Sequence, residues 1–154
     1  MNHQKQLNKV VYFQFFWILL VALGPWIEWV LKAAFFSRSV FFEGMGIFFI
    51  TFGIILFSWS VWTMGKSFEI RVTPRQQARL IMTGPFAYSR NPIYVSAFFI
   101  GIGWSVATAS WFSFVSTLIL MRVLHWKIKI EEQQLSIKFG PSYSQYQNQV
   151  RRFF

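Results

Sequence analysis

The sequence predicts an all-α integral membrane protein of about four transmembrane helices, the last two forming a C-terminal hairpin that runs into a cytoplasmic amphipathic extension. Three observations carry this. The 154 residues are 55% hydrophobic, 21% aromatic and only 13% charged, whereas soluble domains carry about a quarter charged residues. Twenty Phe and eight Trp are more than a soluble core of this size can hide. The apolar residues also fall into long runs that are nearly free of charge, and the cations fall between those runs.

The first run is Val10 to Ile27, with Gln14 its only strongly polar residue. It matches the roughly 20 helical residues that cross a bilayer. Lys5 and Lys9 precede it, as in a secretory signal, but the run is long and aromatic and no small-x-small site follows Gly24-Pro25. An uncleaved helix is expected. The second run, Gly44 to Met64, has no charge, and Gly44, Gly46 and Gly53 give it small-residue faces for helix packing. The third region, Pro92 to Met121, would make a helix of about 45 Å, too long for a hydrocarbon core of about 30 Å. A hairpin turning near Ala107 to Ser110 is expected instead. Its second limb passes Arg122, becomes amphipathic, and stops near Phe139 before Gly140-Pro141.

Charge placement orients this layout. Two cations precede the first span (Lys5, Lys9) and two lie in the first loop (Lys32, Arg38). Five lie between the second and third spans (Lys66, Arg71, Arg75, Arg79, Arg90), none in the hairpin turn, and six beyond it (Arg122, Lys127, Lys129, Lys138, Arg151, Arg152). The positive-inside rule then puts both termini, the 66–90 segment and the chain after the hairpin on the cytoplasmic side. The net charge of +10 suits anionic lipid, and no nucleic-acid motif accompanies it. Trp59, Trp62, Trp104, Trp111 and Trp126 fall mostly near predicted helix ends, as in an interfacial belt.

The chemistry available is narrow. Cysteine is absent and only His3 and His125 are present, which excludes thiolate nucleophiles, zinc–thiolate sites and a histidine-rich metal centre. His125, beside Trp126, reads as an anchor or packing residue more readily than as a base. Two polar groups are predicted on one side of the membrane. One is the insert TGPFAYSRNPIY at 83–94, and the other is HWKIKIEE at 125–132. Two of the five acidic residues, Glu131 and Glu132, sit beside the end of a membrane helix, where an unpaired carboxylate is costly. Lys127 and Glu131, four apart, either form an ordinary exposed pair or serve a ligand.

TGPFAYSRNPIY, then EEQQL, then FGPSYSQYQNQVRR together resemble the isoprenylcysteine carboxyl methyltransferase and phospholipid N-methyltransferase superfamily. Its members carry a pattern close to L-V-T-x-G-x-Y-x-x-x-R-H-P-x-Y, a helical hairpin, then E-E-x-x-L and F-G-x-x-Y-x-x-Y. The resemblance covers about residues 63 to 152, with the parts in order. It implies a single membrane-embedded methyltransferase domain over 1–154, with two N-terminal spans in 1–65 and a cofactor-binding core in 66–154. It implies S-adenosylmethionine as cofactor and direct in-line methyl transfer to a lipophilic acceptor in the membrane, with no metal and no nucleic-acid partner.

By the same resemblance, Leu80 and Ile81 supply part of an adenine slot, with Phe86 where Tyr is common. Asn91, Pro92, Ile93 and Tyr94 match the segment that contacts the cofactor. Pro92 opens a helix whose first backbone groups are free for a ligand. Glu131 matches the carboxylate that holds the cofactor's ammonium, and Glu132 is its neighbour. Lys127 falls where the carboxyl methyltransferases have an arginine near the substrate, and Arg90 is the other candidate catalytic cation. Gly101 and Gly103 resemble a glycine motif of the phospholipid branch, with helix packing as the alternative. Asn91 departs from the usual His and is nearer the phospholipid branch's N-P-M-Y. The closing F-G-x-x-Y-x-x-Y is nearer the carboxyl branch. The acceptor is thus the carboxylate of an isoprenoid-like substrate or the amine of a phospholipid headgroup. An inactive membrane scaffold, in which Asn91 and Phe86 mark the loss, is one alternative, and a small transporter component is another. The sterol reductases share a related hairpin but are usually longer.

Overall fold

The computed structural model describes residues 2–31, 39–65 and 80–153, with side chains from residue 9 onward. Lys32, Arg38, Lys66, Arg71, Arg75 and Arg79, on which part of the charge count rests, lie outside the described residues, as does the Lys5 side chain. Among the described residues there are five α-helices: α1 (Asn2–Leu31), α2 (Val40–Met64), α3 (Pro92–Ala107), α4 (Trp111–Phe139) and α5 (Pro141–Gln149). A short 3-10 turn, Gly84–Ala87, precedes α3. No strand occurs among the described residues.

Two helical stretches, Lys9–Leu31 and Val40–Met64, are long and apolar enough to cross a membrane, with mean hydropathies of 1.9 and 2.2. Most of their residues are not covered by the rest of the chain. Phe13, Phe16, Leu19, Trp26, Phe48 and Ile55 all stand exposed, an arrangement suited to lipid rather than water.

The helices associate as two pairs, α1 with α4 and α2 with α3, joined along the α3–α4 hairpin. Small residues set the α2–α3 distance. A Cβ on Gly53 would lie 2.7 Å from Ile100 Cγ1, and one on Gly103 would lie 2.7 Å from the Gly46 carbonyl oxygen. A Cβ on Gly46 would collide with the backbone of Ala107. Gly44, expected on the same packing face, has nothing within 4 Å and takes no part. Gly103→Val is therefore expected to force α2 and α3 apart at about 1–3 kcal/mol, read as a lower thermal midpoint in detergent. An unchanged midpoint would mean that this contact does not set the spacing.

The α1–α4 pair is built around a proline. Pro25 lies inside α1, so it cannot donate to the carbonyl of Val21 four residues back. Ser113 Oγ of α4 donates to that carbonyl instead, at 2.8 Å. Gly24 makes the approach possible, because a Cβ there would collide with Ser113. One turn further on, a carboxylate oxygen of buried Glu28 accepts the Phe112 amide at 2.7 Å, and Ser110 Oγ accepts the Ser113 amide at 3.1 Å. Two of the amides that a helix start leaves unpaired are thus satisfied, one of them by another helix. Ser113→Ala should cost about 1 kcal/mol by stranding the Val21 carbonyl. An equal midpoint in Ser113→Ala and the parent chain would refute this.

The hairpin turns at Thr108–Ser110, with Ala109 at φ 51. At 1.5 Å per residue, α4 is about 20 Å longer than α3. Its second half therefore continues well past the start of α3 at Pro92. Gly140, at φ 51, ends α4 and reverses the chain into α5. The sequence reading ended the helix at Gly140-Pro141 without a following helix. Pro141 in fact occupies the first turn of α5, where a missing amide costs nothing. α5 packs back onto the projecting part of α4 through Tyr143 and Tyr146, both nearly inaccessible.

Candidate functional site

The insert at 83–94 is where four elements meet: the end of α2, the start of α3, the projecting half of α4, and α5 with the segment that follows it. Gly84 takes φ 60, and a Cβ there would lie 2.9 Å from Thr63 Oγ1 of α2, so the turn sits tight against that helix. Pro85 and Pro92 are fully buried, and Phe86 nearly so. Tyr146 of α5 donates its hydroxyl to the Phe86 carbonyl at 2.7 Å. Burial pushes the Tyr146 phenol up to about 12 and raises Tyr143 as well, so both stay protonated at neutral pH and Tyr146 remains a donor.

The segment after α5 is stitched to the same insert. The Arg90 amide donates to the Arg151 carbonyl at 2.9 Å. Ser89 Oγ and Asn91 Nδ2 both donate to the Arg152 carbonyl, at 3.2 and 3.1 Å. Asn91 therefore spends its side-chain amide on the backbone of Arg152.

Two adjacent carboxylates on α4 divide the charges between them, because neighbouring helical residues point about 100° apart. Glu132, 6% exposed, meets two guanidinium groups. Arg90 reaches Glu132 Oε1 at 3.3 Å, and Arg152 donates through Nε to Oε1 and Oε2 at 3.2 and 3.1 Å. The carboxylate holds Arg152 above its ordinary value. Arg90 Nε is buried without a hydrogen-bond partner.

Glu131 faces a different group. Tyr94 OH lies 2.8 Å from each of its oxygens, and Lys127 Nζ is 3.7 Å from Oε1. The Lys127 side chain is only 3% exposed, so the Lys127–Glu131 pair is not the exposed surface pair that its spacing allowed. Lys127 Nζ donates to Gln14 Oε1 of α1 at 2.9 Å and lies 5.6 Å from the centre of the Tyr94 ring.

The candidate residues thus fall into groups. Tyr94, Lys127 and Glu131 come together, joined by Gln14. Arg90, Asn91 and Glu132 come together with Arg152, so the two candidate catalytic cations, Arg90 and Lys127, end on different carboxylates. Leu80 and Ile81 are half-buried ahead of the 3-10 turn, and Ile93 is half-buried in the first turn of α3. Gly101 and Gly103 lie about two turns or more along α3 from Tyr94. A Cβ on Gly101 would lie 2.7 Å from Thr117 Cγ2 of α4, and Gly103 abuts α2, so helix packing accounts for both. An open polar groove of about 610 Å³ flanks the Glu132 cluster, lined by Lys129, Gln133, Ser136, Gln147 and Arg152 among others. The sequence reading assigned no role to Ser89, Tyr143, Tyr146 or Arg152, and treated Gln14 only as a polar exception in the first span. That exception was itself the available signal.

Comparison with known proteins gives this geometry a family. The family model described as phospholipid methyltransferase matches residues 42–142, about two thirds of the chain, including α2, the insert, the hairpin and both carboxylates. The chain belongs to the phospholipid methyltransferase family. Among curated members of the wider superfamily, protein-S-isoprenylcysteine O-methyltransferase of Schizosaccharomyces pombe is 37% identical over 109 residues, covering 66% of this chain and 44% of its own. The Xenopus laevis and Homo sapiens proteins of that name are each 26% identical over 137 residues, covering 85% of this chain and 48% of their own. A solved structure, described as the eukaryotic intramembrane Ras methyltransferase ICMT (isoprenylcysteine carboxyl methyltransferase), superposes with a TM-score of 0.69 at 24% identity. It covers 97% of this chain and 52% of that one. This phospholipid methyltransferase family member therefore shares the fold of an intramembrane methyltransferase, and spans about half the length of the curated relatives it matches.

Proposed function

We propose that the protein transfers a methyl group from S-adenosylmethionine to a lipophilic, membrane-resident acceptor that carries an anionic group, such as the carboxylate of an isoprenylated cysteine. The observation that carries this reading is the Tyr94–Glu131–Lys127 cluster at the end of the hairpin: an anion and a buried cation side by side, next to apolar helices.

The cluster fits the cofactor's chemistry. A carboxylate offers about four acceptor positions, and Glu131 gives only part of that capacity to Tyr94 and a loose 3.7 Å approach of Lys127. Its side chain is 20% exposed, which leaves it open to an incoming ammonium. Leu80 and Ile81, apolar and half-buried, suit an adenine face, whereas Phe86 and Pro92 are already buried within the protein. When bound, S-adenosylmethionine supplies an electrophilic methyl group on a sulfonium. Glu131 then fixes the cofactor's amino-acid end, with Tyr94 fixing the carboxylate. Lys127 attracts the acceptor's anionic group and holds it near the reacting position, a contribution of orientation and charge. The Arg90–Glu132–Arg152 cluster, with Asn91 and Ser89, keeps the insert and the 151–152 segment in place around the site. The aromatic and aliphatic surfaces of α1 and α2 favour delivery of the acceptor through lipid.

The charge distribution supports four membrane segments, with both termini and the cofactor site cytoplasmic. A carboxylate acceptor agrees with the relatives' name and with Lys127. A phospholipid acceptor would use the same lysine for its phosphate.

The test is calorimetric titration of the detergent-purified, lipid-supplied protein with S-adenosylhomocysteine, followed by labelled-methyl assays. N-acetyl-S-farnesylcysteine and phosphatidylethanolamine would be offered separately. Micromolar binding and label in the farnesylcysteine ester are expected. A folded chain that binds no S-adenosylhomocysteine would refute the reading, and label in phosphatidylethanolamine alone would replace the carboxylate with the amine.

A further inference from the structure

We infer that Gln14, in the first membrane helix, is a positioning residue that holds Lys127 charged and aimed at the acceptor, and so sets the preference for an anionic acceptor. The inference rests on the proposed function and goes beyond it to a residue outside the family's motif region.

Gln14 is the only strongly polar residue between Val10 and Ile27. A polar side chain in such a run is costly unless it is bonded. Its oxygen takes the Lys127 ammonium at 2.9 Å, far closer than the 3.7 Å separation from Glu131 Oε1. An ammonium has three donors, and Lys127 is 98% buried, so each lost acceptor matters.

The chemical type of the partner is the informative point. A carboxylate at position 14 would cancel the lysine's charge. An alkyl group would leave the lysine to collapse onto Glu131, the carboxylate needed for the cofactor's ammonium. An amide oxygen does neither. It fixes the ammonium by a hydrogen bond while leaving its positive charge available to a third group. It also reaches Lys127 from α1, whereas Glu131 and Tyr94 reach it from α4 and α3. Gln14 thereby keeps Lys127 in place when Glu131 is occupied by something else.

The decisive experiment measures methyl transfer to N-acetyl-S-farnesylcysteine, and inhibition by its neutral carboxamide, in the full chain and in Gln14→Leu, Gln14→Glu, Lys127→Met and Gln14→Leu/Lys127→Met. Gln14→Leu is expected to raise acceptor KM roughly tenfold with a much smaller change in kcat, and to erase the preference for carboxylate over carboxamide. S-adenosylhomocysteine affinity should also fall in Gln14→Leu, and recover in Gln14→Leu/Lys127→Met, where no ammonium is left to occupy Glu131. In the Lys127→Met background Gln14→Leu should add little, since the group it positions is gone. Gln14→Glu, nearly isosteric, guards against a folding artefact: it keeps an acceptor but cancels the charge, and should also raise KM.

Unchanged KM and carboxylate preference in Gln14→Glu, or full additivity in the double variant, would overturn the inference. So would a loss of thermal stability in Gln14→Leu with the carboxylate preference intact, which marks a purely structural residue. Failure of the parent chain to bind S-adenosylhomocysteine removes the methyltransferase reading itself. Binding without turnover of the carboxylate substrate removes only the acceptor assignment and the role of Gln14 that depends on it.

Discussion

Glu132→Leu is expected to lower stability by about 3–5 kcal/mol, the cost of removing one partner from a buried charge cluster. The carboxylate is 6% exposed and is shared by Arg90 and Arg152. Without it the Arg90 side chain, 11% exposed and already lacking a partner at Nε, becomes a stranded cation. Arg152 would lose the anchor of its side chain while its carbonyl still receives Ser89 and Asn91. The expected readout is a markedly lower thermal midpoint in detergent, together with protease cleavage near residues 150–153. The double change Arg90→Met/Glu132→Leu should recover much of the loss, because the stranded charge leaves with its partner. A single variant as stable as the parent, or a double variant no better than the single, would show that this cluster does not hold the segment.

Glu131→Ala is expected to weaken S-adenosylhomocysteine binding by about two orders of magnitude or more, as for a charge pair truncated in a poorly solvated site. Glu131→Gln keeps the side chain's size and an acceptor for Tyr94, and should lose nearly as much if charge is what the cofactor needs. Both variants should stay folded, because Lys127 retains its bond to Gln14. Loss in Ala but not in Gln would assign the effect to shape. Affinity retained in both would remove Glu131 from the cofactor site. The contrast between the neighbours is the sharpest expectation of the site: Glu132 governs stability, and Glu131 governs binding.

Much of the helical layout was legible because it rests on short-range signals. Apolar run length placed α1 and α2. The impossibility of a 30-residue span placed the hairpin turn within residues 107–110, and Gly140-Pro141 placed the end of α4. What sequence spacing did not reveal depended on partners far along the chain. Gly44 and Gly46 look alike in sequence, but only Gly46 meets α3. Glu131 and Glu132 look like one acidic pair, but a 100° turn of helix sends them to different cations. Gln14 and Lys127, 113 residues apart, carry no pattern that links them. Tyr143 and Tyr146 matched the resemblance, yet their packing on α4 becomes evident only once Gly140 is seen to reverse the chain and not merely end a helix. The family motifs named Tyr94, Lys127 and Glu131 one by one, and their hydrogen bonds and close approaches become visible only in the folded chain. The attachment of residues 151–152 to the insert runs through backbone carbonyls, which any sequence can supply.

The proline in α1 also has a consequence for biogenesis. α1 leaves the ribosome long before α4, since Val21 and Ser113 are 92 residues apart. In the interval the Val21 carbonyl and the Glu28 carboxylate have none of the partners that α4 later brings, and lipid offers no substitutes. α1 is therefore made before the groups that complete its bonding exist. Synthesis order is thus written into the fold: α4 completes α1, and a chain stalled before Ser113 leaves the Val21 carbonyl without the partner that replaces the proline's missing amide.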